Sequence, residues 1–112
     1  MMGKTLLIVE DDPKSLYALK TVLQDRGFEV VACENAEVAQ QLGHQHFYAA
    51  ILDVRLPGMS GPELAMRLRQ NHAPAKIIFV TAYNGVKELR ADFPGSSVLV
   101  KPLDIDAILR LL

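Results

Sequence analysis

A doubly wound parallel α/β sheet, folded as a single domain, is the architecture this sequence predicts, and three observations carry the prediction. Five apolar runs recur along the 112 residues, at 5–9, 29–33, 48–52, 76–80 and 98–100. Most are rich in Val, Ile and Leu without clean polar alternation, as strands buried on both faces of a parallel sheet are. Between them lie segments with helical spacing and helical punctuation, so strand and helix alternate five times. A (βα)5 pattern of this kind places helices on both faces of the sheet, joined by right-handed crossovers. At 112 residues, 50% of them hydrophobic, the chain has the length and the apolar content of one domain with one core.

The helical segments can be justified in turn. After the first run, Asp12 is placed to cap a helix with Pro13 at its first position. Leu16, Leu19 and Leu23 follow at helical spacing, and Gly27 closes the segment. Asn35 caps a second helix that ends near Gly43, and Ser60-Gly61-Pro62 opens a third with Leu64, Ala65 and Leu68 facing inward. A weaker fourth helix is expected over 84–91, and a fifth over 104–112 with Ile105, Ile108 and Leu112 inward. The flavodoxin-like strand order 2-1-3-4-5 suits a five-stranded chain of this size, and it puts any ligand site beyond the carboxyl ends of the strands, where the order reverses.

Composition narrows the function classes. A formal net charge of −1 supplies no general attraction to nucleic acid or to an anionic membrane. With no signal-type leader and no apolar stretch approaching about 18 residues, the expectation is a cytoplasmic protein that neither spans nor binds membranes. The single cysteine, Cys33, lies in an apolar run and reads as packing.

The strand ends carry the chemistry. The first run ends in Glu10-Asp11-Asp12, the third in Asp53, the fourth in Thr81 and the fifth in Lys101-Pro102. In the expected order the first and third strands are neighbours, so their carboxylates converge. Several carboxylates in one pocket repel one another at neutral pH unless a counter-charge is present. An all-oxygen donor set without His or Cys favours Mg²⁺, or else Mn²⁺, over zinc. Each residue has a plainer reading: Asp12 before Pro13 suits a cap, a lone strand-end Asp is usually solvated, and a Thr or Lys there says little. What separates the readings is the conjunction, because four strand ends deliver carboxylate, carboxylate, hydroxyl and ammonium to one edge.

The sequence resembles the receiver domains of two-component response regulators, the CheY-like family, over residues 4–112, and the whole of 1–112 is read as one such domain. The matching stretches are Leu6-Leu7-Ile8-Val9-Glu10-Asp11-Asp12, Ile51-Leu52-Asp53-Val54-Arg55-Leu56-Pro57-Gly58-Met59-Ser60-Gly61, Val80-Thr81-Ala82 and Val100-Lys101-Pro102. The second is the most specific, since an Asp followed at fixed offsets by Leu-Pro and Gly marks the family. The resemblance implies that Asp53 accepts a phosphoryl group and that Glu10, Asp11, Asp53 and the backbone carbonyl of Arg55 hold Mg²⁺, with Asp11 a more direct ligand than Glu10. It also implies that Thr81 and Lys101 hold phosphoryl oxygens and that the Lys101-Pro102 bond is cis. The implied partners are a sensor histidine kinase or a histidine phosphotransfer protein and an output domain or protein, with homodimerisation left open. The chain would not be an enzyme in its own right, but a phosphoacceptor that assists its own phosphorylation and dephosphorylation.

Three features depart from the family's usual pattern. Val98 stands where switching receivers carry an aromatic; the segment between Thr81 and Lys101 is short and contains Pro94-Gly95-Ser96-Ser97; and the fifth helix is short. These features keep a second reading alive, a receiver-fold interaction module that works without phosphate. If phosphate is used, switching is expected to shift from the Val98 position to residues 82–92. A third reading, a hydrolase of the haloacid dehalogenase type, needs a second Asp two residues after the nucleophile, where this chain has Arg55. Tyr83 and Arg55 are placed to rim the site. His44, His46 and His72 lack partners at zinc spacing and read as surface or capping residues. Met59 and Met66 read as packing, and Asp104 and Asp106 as acidic residues opening the last helix.

Overall fold

Strands and helices alternate from the first described residue to the last: β1 (Thr5–Val9), α1 (Pro13–Asp25), β2 (Glu29–Cys33), α2 (Ala36–Gln41), β3 (Ala49–Asp53), α3 (Gly61–Gln70), β4 (Lys76–Thr81), α4 (Val86–Asp92), β5 (Ser97–Val100) and α5 (Ile105–Leu111). The computed structural model describes residues 4–42, 45–71, 74–82 and 85–112. All strand pairings are parallel and the order is β2-β1-β3-β4-β5. This is the predicted flavodoxin-like arrangement.

The strands send alternate side chains to opposite faces. Leu6, Ile8, Ile51, Ile78 and Val80 pack beneath α1 and α5. Leu7, Val9, Leu52, Ile77 and Phe79 pack beneath α2, α3 and α4. The predicted inward leucines of α1 are all buried, and Ile108 anchors α5 completely, while Ile105 and Leu112 are half-buried.

Capping places the helices where the sequence puts them. Asp12 accepts from the Ser15 amide at 3.2 Å, Asn35 from Val38 at 2.8 Å, Ser60 from Glu63 at 3.2 Å and Asp104 from Asp106 at 2.9 Å. Each satisfies an amide that the first turn of a helix leaves unpaired. Gly27 takes φ 93 after α1, as expected of a glycine that closes a helix.

Several boundaries differ from expectation. β3 begins and ends one residue later than the apolar run, and β4 extends to Thr81. The ladder pairs Asp53 with Val80 and Thr81 with Val100, because backbone pairing is indifferent to side-chain polarity. α2 stops at Gln41, short of Gly43, and α4 covers Val86–Asp92 rather than 84–91. Gly43, Asn84, Tyr83, His44 and His72 lie outside the described residues. Gly85, at the start of α4, offers no side-chain cap, which accounts for the weakness of that helix's signal.

One close approach governs the active edge. α3 starts directly against the end of β3, and a Cβ on Gly61 would overlap the carbonyl oxygen of Asp53 and lie 2.9 Å from its carbonyl carbon. Both neighbours are backbone, so neither can swing aside. Gly61→Ala should therefore lower stability by about 1–3 kcal/mol through overpacking, seen as a lower urea midpoint. An unchanged midpoint would show that the turn can open freely.

Candidate functional site

The carboxyl edge of the sheet gathers the residues that the strand ends predicted. Glu10 directly follows β1, Asp53 ends β3, Thr81 ends β4 and Lys101 directly follows β5. Glu10, Asp53 and Thr81 are buried to 8%, 5% and 1% exposure, whereas Asp11 is exposed at the mouth. One carboxylate oxygen from each of Glu10, Asp11 and Asp53 lies within 4.8 Å of the other two. Among the described residues this is the one group of His, Cys, Asp or Glu able to hold a metal ion together, and His46 is not in it.

Lys101 reaches into the same space from the opposite side. Its Nζ donates to Asp53 Oδ2 at 3.0 Å and to Glu10 Oε2 at 3.4 Å. Its amide donates to the Thr81 carbonyl at 2.8 Å, which locks the start of the β5–α5 turn to the end of β4. The Lys101-Pro102 bond is cis, as the resemblance implies. The Arg55 amide donates to Asp53 Oδ1 at 3.3 Å, so the chain folds back over the carboxylate, and the Arg55 side chain is exposed. Beneath lies a cavity of about 380 Å³ that runs between α1 and the β5–α5 turn, floored by Ile8 and Ile51 and bounded by Glu10, Asp53 and Lys101.

Electrostatics follow from this crowding. Burial, then the hydrogen bond and charge of Asp53, push the Glu10 carboxyl up to about 7, against the opposing pull of Lys101. Burial disfavours the charge on Lys101, but the hydrogen bond and charge of Asp53, followed by those of Glu10, outweigh it and raise its pKa. Two buried carboxylates thus share one ammonium, with a third acid, Asp11, beside them. The donor set is all oxygen, with one ligand exposed and two buried, and suits a hard divalent cation entering from solvent.

Asp12, the third acid of the first strand end, is occupied elsewhere, as expected. Its carboxylate accepts from the Ser15 hydroxyl at 2.6 Å as well as the Ser15 amide, and these bonds lower its pKa. Its own amide donates to Glu10 Oε1 at 3.3 Å and so helps to orient that side chain. Val98 is buried with Leu89 and Phe93 of the α4 region, and Phe93 meets Phe79 edge-on at 5.0 Å. A strand-end carboxylate cluster facing a lysine on a 2-1-3-4-5 sheet is the doubly wound arrangement that the resemblance to receiver domains implies.

Comparison with known proteins agrees. Residues 6–112 match the response regulator receiver domain, and the chain belongs to that family, which acts in two-component signalling. It is 35% identical to the response regulator protein FleR of Pseudomonas aeruginosa, covering 98% of this chain and 24% of FleR. It is 33% identical to a cyclic di-GMP phosphodiesterase of Thermotoga maritima, covering 96% of this chain and 29% of that protein. The chain therefore spans under a third of the length of these relatives. Among solved structures, the response regulator TrrA of Thermotoga maritima in complex with Mg²⁺–BeF superposes with a TM-score of 0.76 at 31% identity, covering 97% of this chain and 99% of TrrA.

The raised pKa of Glu10 makes a testable statement about stability. A carboxyl whose folded pKa exceeds its unfolded value favours the folded state most below the unfolded pKa, here 4.5, and that contribution is lost as pH rises through about 7. Replacing Glu10 with Gln removes the penalty, so in EDTA the melting temperature of Glu10→Gln should increasingly exceed that of wild type from pH 4.5 to 7. Parallel curves for the two proteins would contradict the assignment.

Proposed function

We propose that this receiver domain is a phosphoacceptor in a phosphorelay, taking a phosphoryl group onto Asp53 from a phosphohistidine of a sensor kinase or phosphotransfer protein. The carrying observation is the pairing of Asp53 with Lys101 at 3.0 Å beside the Glu10–Asp11 acid pair. TrrA, 31% identical, binds Mg²⁺ together with beryllofluoride, a ligand that stands in for a phosphoryl group. That supports the same use of the corresponding edge here.

In this reading an Asp53 carboxylate oxygen attacks phosphorus in line as the phosphorus–nitrogen bond of the donor breaks, and the product is an acyl phosphate. Glu10, Asp11 and Asp53, with the Arg55 carbonyl by family resemblance, would hold Mg²⁺. The cation would supply positive charge to the phosphoryl oxygens that turn negative in a loose transition state. Lys101 already stands at the carboxylate and supplies a compact positive charge to a second phosphoryl oxygen. Thr81, one strand over, offers its hydroxyl to a third. Because Asp53 and Glu10 are buried, little water competes for these contacts.

The response to phosphorylation passes through Thr81. Val98 brings no ring to follow a moving threonine, only a stiff β-branched side chain packed among Leu89 and Phe93. The displacement is accordingly directed toward α4. The phosphate-independent alternative draws on the same valine, but the intact Asp53–Lys101 pair favours phosphoacceptance.

Incubation with acetyl phosphate and Mg²⁺ should add the mass of one phosphoryl group to wild type and none to Asp53→Asn, read by intact mass spectrometry. Equal modification of both proteins would place the phosphoacceptor elsewhere.

A further inference from the structure

The loop that follows Asp53 is held at its tip by a residue from a different helix. Residues 54–60 form neither helix nor strand, so their geometry rests on individual bonds. At the base, the Gly61 amide donates to the Val54 carbonyl at 3.1 Å, and the Arg55 amide donates to Asp53 Oδ1. At the tip, the Met59 amide donates to Glu37 Oε2 at 2.9 Å. Glu37 sits in the first turn of α2, 22 residues away in sequence.

Further observations show that this bond is built into the fold. Gly58 takes φ +78, a conformation open to glycine, and a Cβ there would collide with Glu37 Oε2 and lie 3.2 Å from its Cδ. The carboxylate thus fills the space a side chain at 58 would need. The half-buried Met59 side chain packs against the core under α2 and α3, which anchors the same residue a second time. The Met59 hydrogen bond also holds the Glu37 carboxyl below its usual range, so the acceptor stays charged well into mild acid.

We propose that Glu37 is a positioning residue for the phosphoacceptor site: by holding the 57–59 turn, its carboxylate fixes the backbone at Arg55 and the aim of Asp53 for a divalent cation. Glu37 touches neither the cation nor the phosphoryl group. The proposal rests on the reading of Asp53, Glu10 and Asp11 as a Mg²⁺ site. Geometry is what the tether supplies, because a cation with near-octahedral demands tolerates little displacement of its ligands, and groups that orient ligands from outside typically change metal affinity by 10–100-fold when removed.

The test compares wild type, Glu37→Ala and Glu37→Gln in three measurements: hydrogen exchange of the 55–59 amides in metal-free protein, Mg²⁺ affinity by calorimetric titration, and the metal-free melting temperature. Glu37 is exposed, so the fold should survive either change. Glu37→Ala should speed exchange in the loop and weaken Mg²⁺ binding about 10-fold, the lower end of such outer effects, with the metal-free melting temperature near that of wild type. Glu37→Gln keeps an acceptor oxygen at the same reach and should recover most of the affinity. Wild-type affinity in Glu37→Ala would overturn the positioning role while leaving the site itself intact. So would an affinity loss that merely follows a loss of stability. A wild type that binds no Mg²⁺ would instead overturn the reading of the site, and the proposal with it.

Discussion

Three carboxylates facing one ammonium at the carboxyl edge of a parallel sheet form the constraint on which the rest of this structure depends. A single lysine cannot neutralise Glu10, Asp11 and Asp53 together, and Glu10, buried beside Asp53, has its carboxyl pushed upward first by burial and then by that neighbour. The core could fold around any apolar strand ends. Only a domain that gathers charge there for use would accept the repulsion. In the proposed function the same crowding is what a divalent cation would relieve, because hard cations favour clustered carboxylate oxygens.

The scaffold is arranged to keep those positions fixed. β1, β3 and β4 are buried on both faces, so the residues at their ends inherit the rigidity of the sheet. Gly61 lets α3 start against the Asp53 carbonyl, and the Lys101 amide is bonded to Thr81 across the β4–β5 edge. At the opposite end of the molecule, Lys76 Nζ donates to the carbonyls of Leu111 and Leu112 at 2.9 and 3.1 Å, and the Tyr48 hydroxyl donates to Leu112. Cations beside the last carbonyls of a helix complement its dipole, and these bonds tie down a fifth helix only seven residues long.

Much of this was legible in the sequence. Strands buried on both faces leave continuous apolar runs, so their number and parallel class could be read directly, and Asp12, Asn35, Ser60 and Asp104 announced four helix starts. The convergence of Glu10, Asp53, Thr81 and Lys101 followed from strand order alone. Strand ends were misplaced by a residue because Asp53 and Thr81 continue the ladder while breaking the apolar pattern. α4 was the least legible element, since its Gly85 start carries no capping side chain. The Glu37–Met59 bond and the Lys76 contacts left no signal, because each joins exposed or half-buried residues far apart in sequence. Gly61 read only as part of a helix start, and its contact with Asp53 emerged only in three dimensions.

The proposed function rests on a divalent cation completing the acid cluster of Glu10, Asp11 and Asp53. Melting temperature as a function of Mg²⁺ concentration, at constant ionic strength, tests this most directly. A cation that binds only the folded chain raises stability by RT ln(1 + [L]/Kd), so the wild-type midpoint should climb steadily once Mg²⁺ exceeds its dissociation constant, and the climb should be largely lost in Asp11→Asn. A midpoint that does not respond to Mg²⁺, or one that monovalent salt reproduces at equal ionic strength, would contradict the account.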